Sequence, residues 1–122
     1  MNSESHTCSL SLGGVERTWL VPSLWDAVKA LPVITVSINS LRGVFEEGSW
    51  LQAMPDLSSP VVEPELERIR SADLDYPIIL HPNGWVMDGM HRIGKRLLAG
   101  ELTIQAVQFD SNTLPDADII RL

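Results

Sequence analysis

Residues 77–100 limit the possible folds more than any other stretch. Pro77 to His81 is apolar and β-prone, Asn83-Gly84 follows, and Trp85 to Met87 is apolar again. Asn and Gly both tolerate positive φ, so the segment predicts a hairpin closed by a two-residue turn. A helix then starts at Asp88/Gly89 and stops at Gly100, where glycine suits a left-handed C-terminal cap. Met90, Ile93, Leu97 and Leu98 recur at helical spacing and form the expected buried stripe. His91, Arg92, Lys95 and Arg96 are expected on the other side. A hairpin that runs almost directly into an amphipathic helix predicts a sheet with a helix laid across it.

The flanking segments extend this pattern. Thr18 to Val21 and Val33 to Ile38 read as strands, and Thr103 to Phe109 reads as the last strand. Ser23 and Asp26 have capping-box spacing and predict a helix that ends before Pro32. Pro64, with Glu65 and Glu67 behind it, opens another helix that runs to about Ala72. Short connections between mixed elements predict one α+β domain, a small mixed sheet with helices packed on it. The 122 residues suffice for one core. Residues 1–17 are Ser/Gly-rich and are expected to form a flexible arm, with the domain over 18–112. The tail 113–122 ends apolar, and both packing on the domain and seeding a homodimer are open to it. Gly43, Gly48, Pro55, Pro60 and Pro64 punctuate residues 41–64. That region predicts a long functional loop with a short helix around Ser49–Met54.

Charge narrows the partners. The chain carries a net −7, which repels phosphate backbones and disfavours nucleic acid as a partner. Residues 88–100 hold three cations against one acid, a net +2, which leaves −9 on the rest. A basic island in an acidic chain suits a small anion such as phosphate. No apolar run is long enough to span a membrane, and the N-terminus lacks a basic start with an apolar stretch. The cytoplasm is therefore the expected location. The single cysteine, Cys8, excludes an internal disulfide and a Cys-based zinc site.

The start of the 89–100 helix carries the chemistry. Gly89 lets the backbone turn tightly and lets a ligand approach. The first amides of a helix are unpaired and carry partial positive charge, which suits phosphate. His91, Arg92 and Lys95 are candidates to complete that cradle. A cation at a helix start opposes the dipole, so Arg92 needs a reason to be there. A solvated basic face is the alternative, above all for Arg96. Asp88 reads as an N-cap or as a ligand for Mg²⁺ bridging phosphates. Asp73 and Asp75 read as a turn, and His6 and His81 have no partners at ligand spacing. Trp19, Trp25 and Trp85 are core candidates, whereas Trp50 is a candidate to stack on a base.

Asp88-Gly89-Met90-His91-Arg92 resembles the Asp-Gly-His-His-Arg signature of the ParB/sulfiredoxin superfamily, over roughly residues 31–109. The resemblance implies that fold. It also implies a nucleotide (ADP, ATP or CTP, with Mg²⁺) whose phosphates are held by Gly89, Met90, His91 and Arg92. Met90 stands where sulfiredoxin has its cysteine, and a thioether cannot do thiolate chemistry, which excludes that activity. No helix-turn-helix segment follows residue 109, which disfavours a partition clamp. By resemblance to the free serine kinases, Glu46 or Glu47 would be the general base on a substrate hydroxyl, with His91 in the same catalytic set. A solvated acidic turn is the alternative for that pair. The expectation is a nucleotide phosphate-binding domain, either a small phosphotransferase or nucleotide hydrolase or a non-catalytic regulatory module. A DNA-associated or nuclease role is disfavoured.

Overall fold

A computed structural model describes residues 7–45 and 49–122. In chain order the elements are β1 Thr7–Leu12, β2 Val15–Leu20, α1 Val21–Ala27, β3 Ile34–Ser37, α2 Leu66–Ser71, β4 Ile78–Leu80, β5 Val86–Asp88, α3 Met90–Leu98, β6 Thr103–Gln108 and β7 Ile119–Arg121. Short 3-10 turns at Val28–Ala30, Ile38–Ser40 and Glu63–Glu65 join them. The strands form two sheets, β1-β2-β7 and β3-β6-β4-β5. The first is antiparallel throughout. In the second only β4 and β6 run parallel. The α+β class expected from the sequence is the class observed.

The four-stranded sheet lies in the middle because both its faces are apolar. Along β4, Ile78 and Leu80 join one buried cluster while Ile79 joins the other. β6 alternates likewise, with Ile104 and Ala106 on one face and Val107 on the other. Successive strand residues face opposite ways, so a continuous apolar run such as Ile78–Leu80 belongs between two layers. Ile69 of α2 and Ile93 of α3 cover the first face. Cys8 of β1, Trp19 of β2 and Leu24 of α1 cover the second. Burying each of the large side chains contributes about 1.5–3 kcal/mol.

The segment expected to be a loose arm through residue 17 is paired from Thr7 onward. Leu12 pairs with Val15 across Gly13 and Gly14, whose φ values are 59° and 79°. Two glycines at positive φ make a hairpin turn, and Cys8 buries its side chain against the core. The apolar tail is likewise part of a sheet. Residues Ile119–Arg121 pair with β2, and the Asp118 carboxylate accepts the Leu20 N–H at 2.8 Å.

Other boundaries shift for local reasons. Helix α1 begins at Val21 with Pro22 in its first turn and has no side-chain cap, so Ser23 does not start it. The 49–54 segment is a run of turns in place of the expected short helix. In α3 the buried residues are Arg92, Ile93 and Gly94, while Leu98 is 42% exposed. Met90, Ile93 and Leu97 of the expected stripe do pack into the first cluster, and Arg92 and Gly94 are buried beside them. Gly94 permits this packing because its Cα lies against Trp50, where an added Cβ would stand 3.1 Å from the ring. Among the described residues no helix is long and apolar enough to cross a membrane.

Candidate functional site

The hairpin of β4 and β5 delivers the chain to the start of α3. Gly84 sits at φ 92° and its N–H donates to the His81 carbonyl at 2.9 Å, closing the turn. Asp88 ends β5, and Gly89 at φ 112° makes the corner into the helix. A Cβ at Gly89 would lie 2.5 Å from Ile78 Cγ2, so the corner also packs directly onto the sheet. The turn chemistry and the close approach both require glycine here.

A cleft of about 310 Å³ opens at this corner. One wall is β1 from Thr7 to Leu10, and the other runs from Val86 to His91, with Trp50 beside it. The first-turn amides of α3, a nine-residue helix, have no intrahelical acceptors and carry the positive end of the dipole. Gly89, Met90 and His91 thus stand together on the cleft wall, with Asp88 next to them. A groove of similar size between Phe45, Met54 and Leu98 is lined almost wholly by apolar side chains, which offer little to recognise a phosphate.

His91 is held on two sides. The imidazole Nε2–H donates to the Glu65 carboxylate at 2.7 Å, since a carboxylate only accepts. Trp50 stacks on the ring with centroids 5.0 Å apart and planes 20° from parallel. Trp50 therefore does stack, on a histidine. Glu65 precedes α2 and has no sequence signal that links it to His91. It reads locally as an acid at a helix start, and only packing of α2 against α3 reveals the pair.

Arg92 and Lys95 do not line the cleft. Arg92 Nη2 donates to Asp88 Oδ2 at 3.2 Å, and its guanidinium carbon lies 5.6 Å from the Trp25 ring centroid. Trp25 Nε1–H donates to the same Asp88 oxygen at 3.0 Å. The cation at the helix start thus has its reason in a buried pair, and the expected cradle is not assembled from it. Lys95 Nζ donates to the Ala72 carbonyl at 2.9 Å, at the C-terminal end of α2. Cations suit that end of a helix. Arg96 pairs with Glu101 at 2.6 Å.

Asp88, the expected N-cap or Mg²⁺ ligand, makes no side-chain cap hydrogen bond to α3 and is engaged through Oδ2. One of its oxygens already takes two donors, and the described residues contain no group of three or more His, Cys, Asp or Glu able to hold a metal ion. Glu46 and Glu47, the expected general base, lie outside the described residues. The described residues on either side of them are anchored. Arg42 pairs with Trp85, and Ser49 Oγ donates to the Val44 carbonyl at 2.8 Å.

Cys8 is an unexpected component of the cleft wall. Burial, helped by the Asp88 charge, pushes its thiol up to about 12. Such a thiol stays protonated at neutral pH and is a poor nucleophile. His81 lies elsewhere, buried edge-on to Trp19 at 6.1 Å between centroids. Its Nδ1 accepts the Asn83 N–H at 3.2 Å.

The chain matches no protein-family model, no curated protein and no solved structure. The site's chemistry therefore rests on its own residues.

Proposed function

We propose that this chain binds a small phosphate-bearing molecule of the nucleotide class in the cleft at the start of α3. The observation that carries the reading is the cleft wall itself. Gly89, Met90 and His91 bring a positive-φ corner, the first-turn amides and an imidazole to one opening. Amides at a helix start, with the dipole behind them, form an anion site without further devices. The resemblance of residues 88–92 to a phosphate-holding signature points the same way. Trp50, on the same wall, offers an aromatic face near the mouth.

Binding without turnover is the form that the geometry favours. Phosphoryl transfer needs cations on the transferring group and a base on the acceptor. Arg92 is committed to Asp88 and Lys95 to Ala72. The catalytic version, with Glu46 or Glu47 as base, would show as product formed from ADP, ATP or CTP with Mg²⁺ and a hydroxyl acceptor, lost in Glu46→Ala or Glu47→Ala.

Thermal unfolding with ADP, ATP, CTP and pyrophosphate tests the binding. A ligand at about 100 times its Kd adds about 2.7 kcal/mol of stability. His91→Ala should reduce that increment without removing the cooperative transition. Unchanged melting with all four compounds would overturn the proposal.

A further inference from the structure

We infer that Glu65 is a positioning residue for the cleft: it fixes His91 as a hydrogen-bond-oriented, charge-supported imidazole for the anion. This rests on the binding reading above and deepens it. Four observations meet at one ring. Glu65 Oε2 lies 2.7 Å from His91 Nε2, and the two side chains are only 24% and 12% exposed. Trp50 covers a face of the imidazole at 5.0 Å. His91 and Trp50 both line the cleft, while Glu65 does not. Finally, the first turn of α3 holds no acid of its own.

The physical sequence is short. A histidine in the first turn of a helix is a poor place for positive charge, because it faces the positive end of the dipole. A carboxylate brought in from another element, 2.7 Å from Nε2, offsets that disadvantage through a direct charge-assisted contact. Glu65 does so across the α2–α3 contact, and Arg68 Nη1 also lies 3.9 Å from the same oxygen. With Nε2 pinned by the carboxylate and one face pinned by the indole, the ring has little rotational freedom left. With Nε2–H given to Glu65, the ring meets the anion through Nδ1–H of the imidazolium, and an oriented donor loses less entropy on binding than a mobile one does. Glu65 thus acts on a ligand that it does not touch.

The alternative is a clasp that only joins α2 to α3. Glu65→Gln separates the two, because the amide oxygen still accepts the Nε2–H while the charge is gone. Pyrophosphate and ADP binding by titration calorimetry should weaken about tenfold in Glu65→Gln, with the melting temperature near that of the unmodified chain. In a His91→Gln background the same change should have no further effect on Kd, since Glu65 acts through the imidazole. If Glu65→Gln does not fold, Glu65→Asp is read in its place. Its carboxylate is withdrawn by one methylene and should also weaken binding. Equal affinity in the folded Glu65 variant, or an undiminished Glu65 effect without His91, overturns this inference and leaves the binding site standing. Failure of the unmodified chain to bind either compound overturns both.

Discussion

Arg92 and Asp88 form an ion pair one helical turn apart, 3.2 Å between Nη2 and Oδ2, with side chains only 6% and 12% exposed. The pair spans the Gly89 corner, so the last residue of β5 holds the first turn of α3. Removing one partner of a buried pair strands the other charge, at a cost of about 3–5 kcal/mol. Asp88→Ala should lose stability in that range by urea denaturation. A loss below about 1 kcal/mol would mean that the pair is solvated and weak.

Gly89 and Gly100 both sit at positive φ, 112° and 76°, but in different surroundings. A Cβ at Gly89 meets Ile78 Cγ2 at 2.5 Å, whereas nothing lies within 4 Å of one at Gly100. Gly100→Ala therefore carries the backbone penalty alone, about 1 kcal/mol. Gly89→Ala adds overpacking of typically about 1–3 kcal/mol and should also open the cleft corner. Equal denaturation midpoints for the two variants would contradict this account.

Cys8 should be chemically silent in the folded chain. With its thiol pushed up to about 12, only about one molecule in ten thousand carries a thiolate at pH 8. Iodoacetamide labelling followed by mass spectrometry should show almost no modification until denaturant is added, then complete reaction. Rapid native labelling would place the thiol in water.

His81 gives the fold a pH dependence with a definite sign. Burial, and secondarily the Arg17 charge, lower its pKa, while a hydrogen bond with Asn83 opposes them. In acid the unfolded chain then takes up a proton that the folded chain resists. Stability is unaffected well above the ordinary imidazole value of about 6.5 and falls as pH drops through it. The melting-temperature advantage of the unmodified chain over His81→Gln should therefore shrink between pH 7.5 and pH 5. A constant difference across that interval would show that His81 titrates alike in both states.

Trp50 reports on the cleft. Its stacking on His91 at 5.0 Å puts an indole beside the proposed ligand. Bound pyrophosphate should change the tryptophan emission, and Trp50→Phe should remove that change while leaving the other three tryptophans in place. A signal that survives Trp50→Phe would locate the ligand elsewhere.

Much of the fold is legible along the chain because its causes are local. Asn83-Gly84 specifies its hairpin, and Gly89 and Gly100 bracket α3, since positive φ is a property of single residues. The same chemistry at Gly13-Gly14 marked the first hairpin too, but its Ser-rich surroundings read as loose. β1 is held by its partners β2 and the core, which a local reading does not weigh.

From sequence alone come the α+β class, the glycine corner at residue 89 and the placing of His91 at a helix start. Tertiary structure alone decided where the charges went. Arg92 left the expected anion site for Asp88 and Trp25, and the latter lies 63 positions from Asp88. His91 met Glu65 from 26 positions away, and Cys8 reached the cleft on a strand from the other sheet. Turns and periodicity are fixed by neighbours in the chain. The partner of a charged side chain depends on which distant surface is packed against it, and that is set only when the layers close.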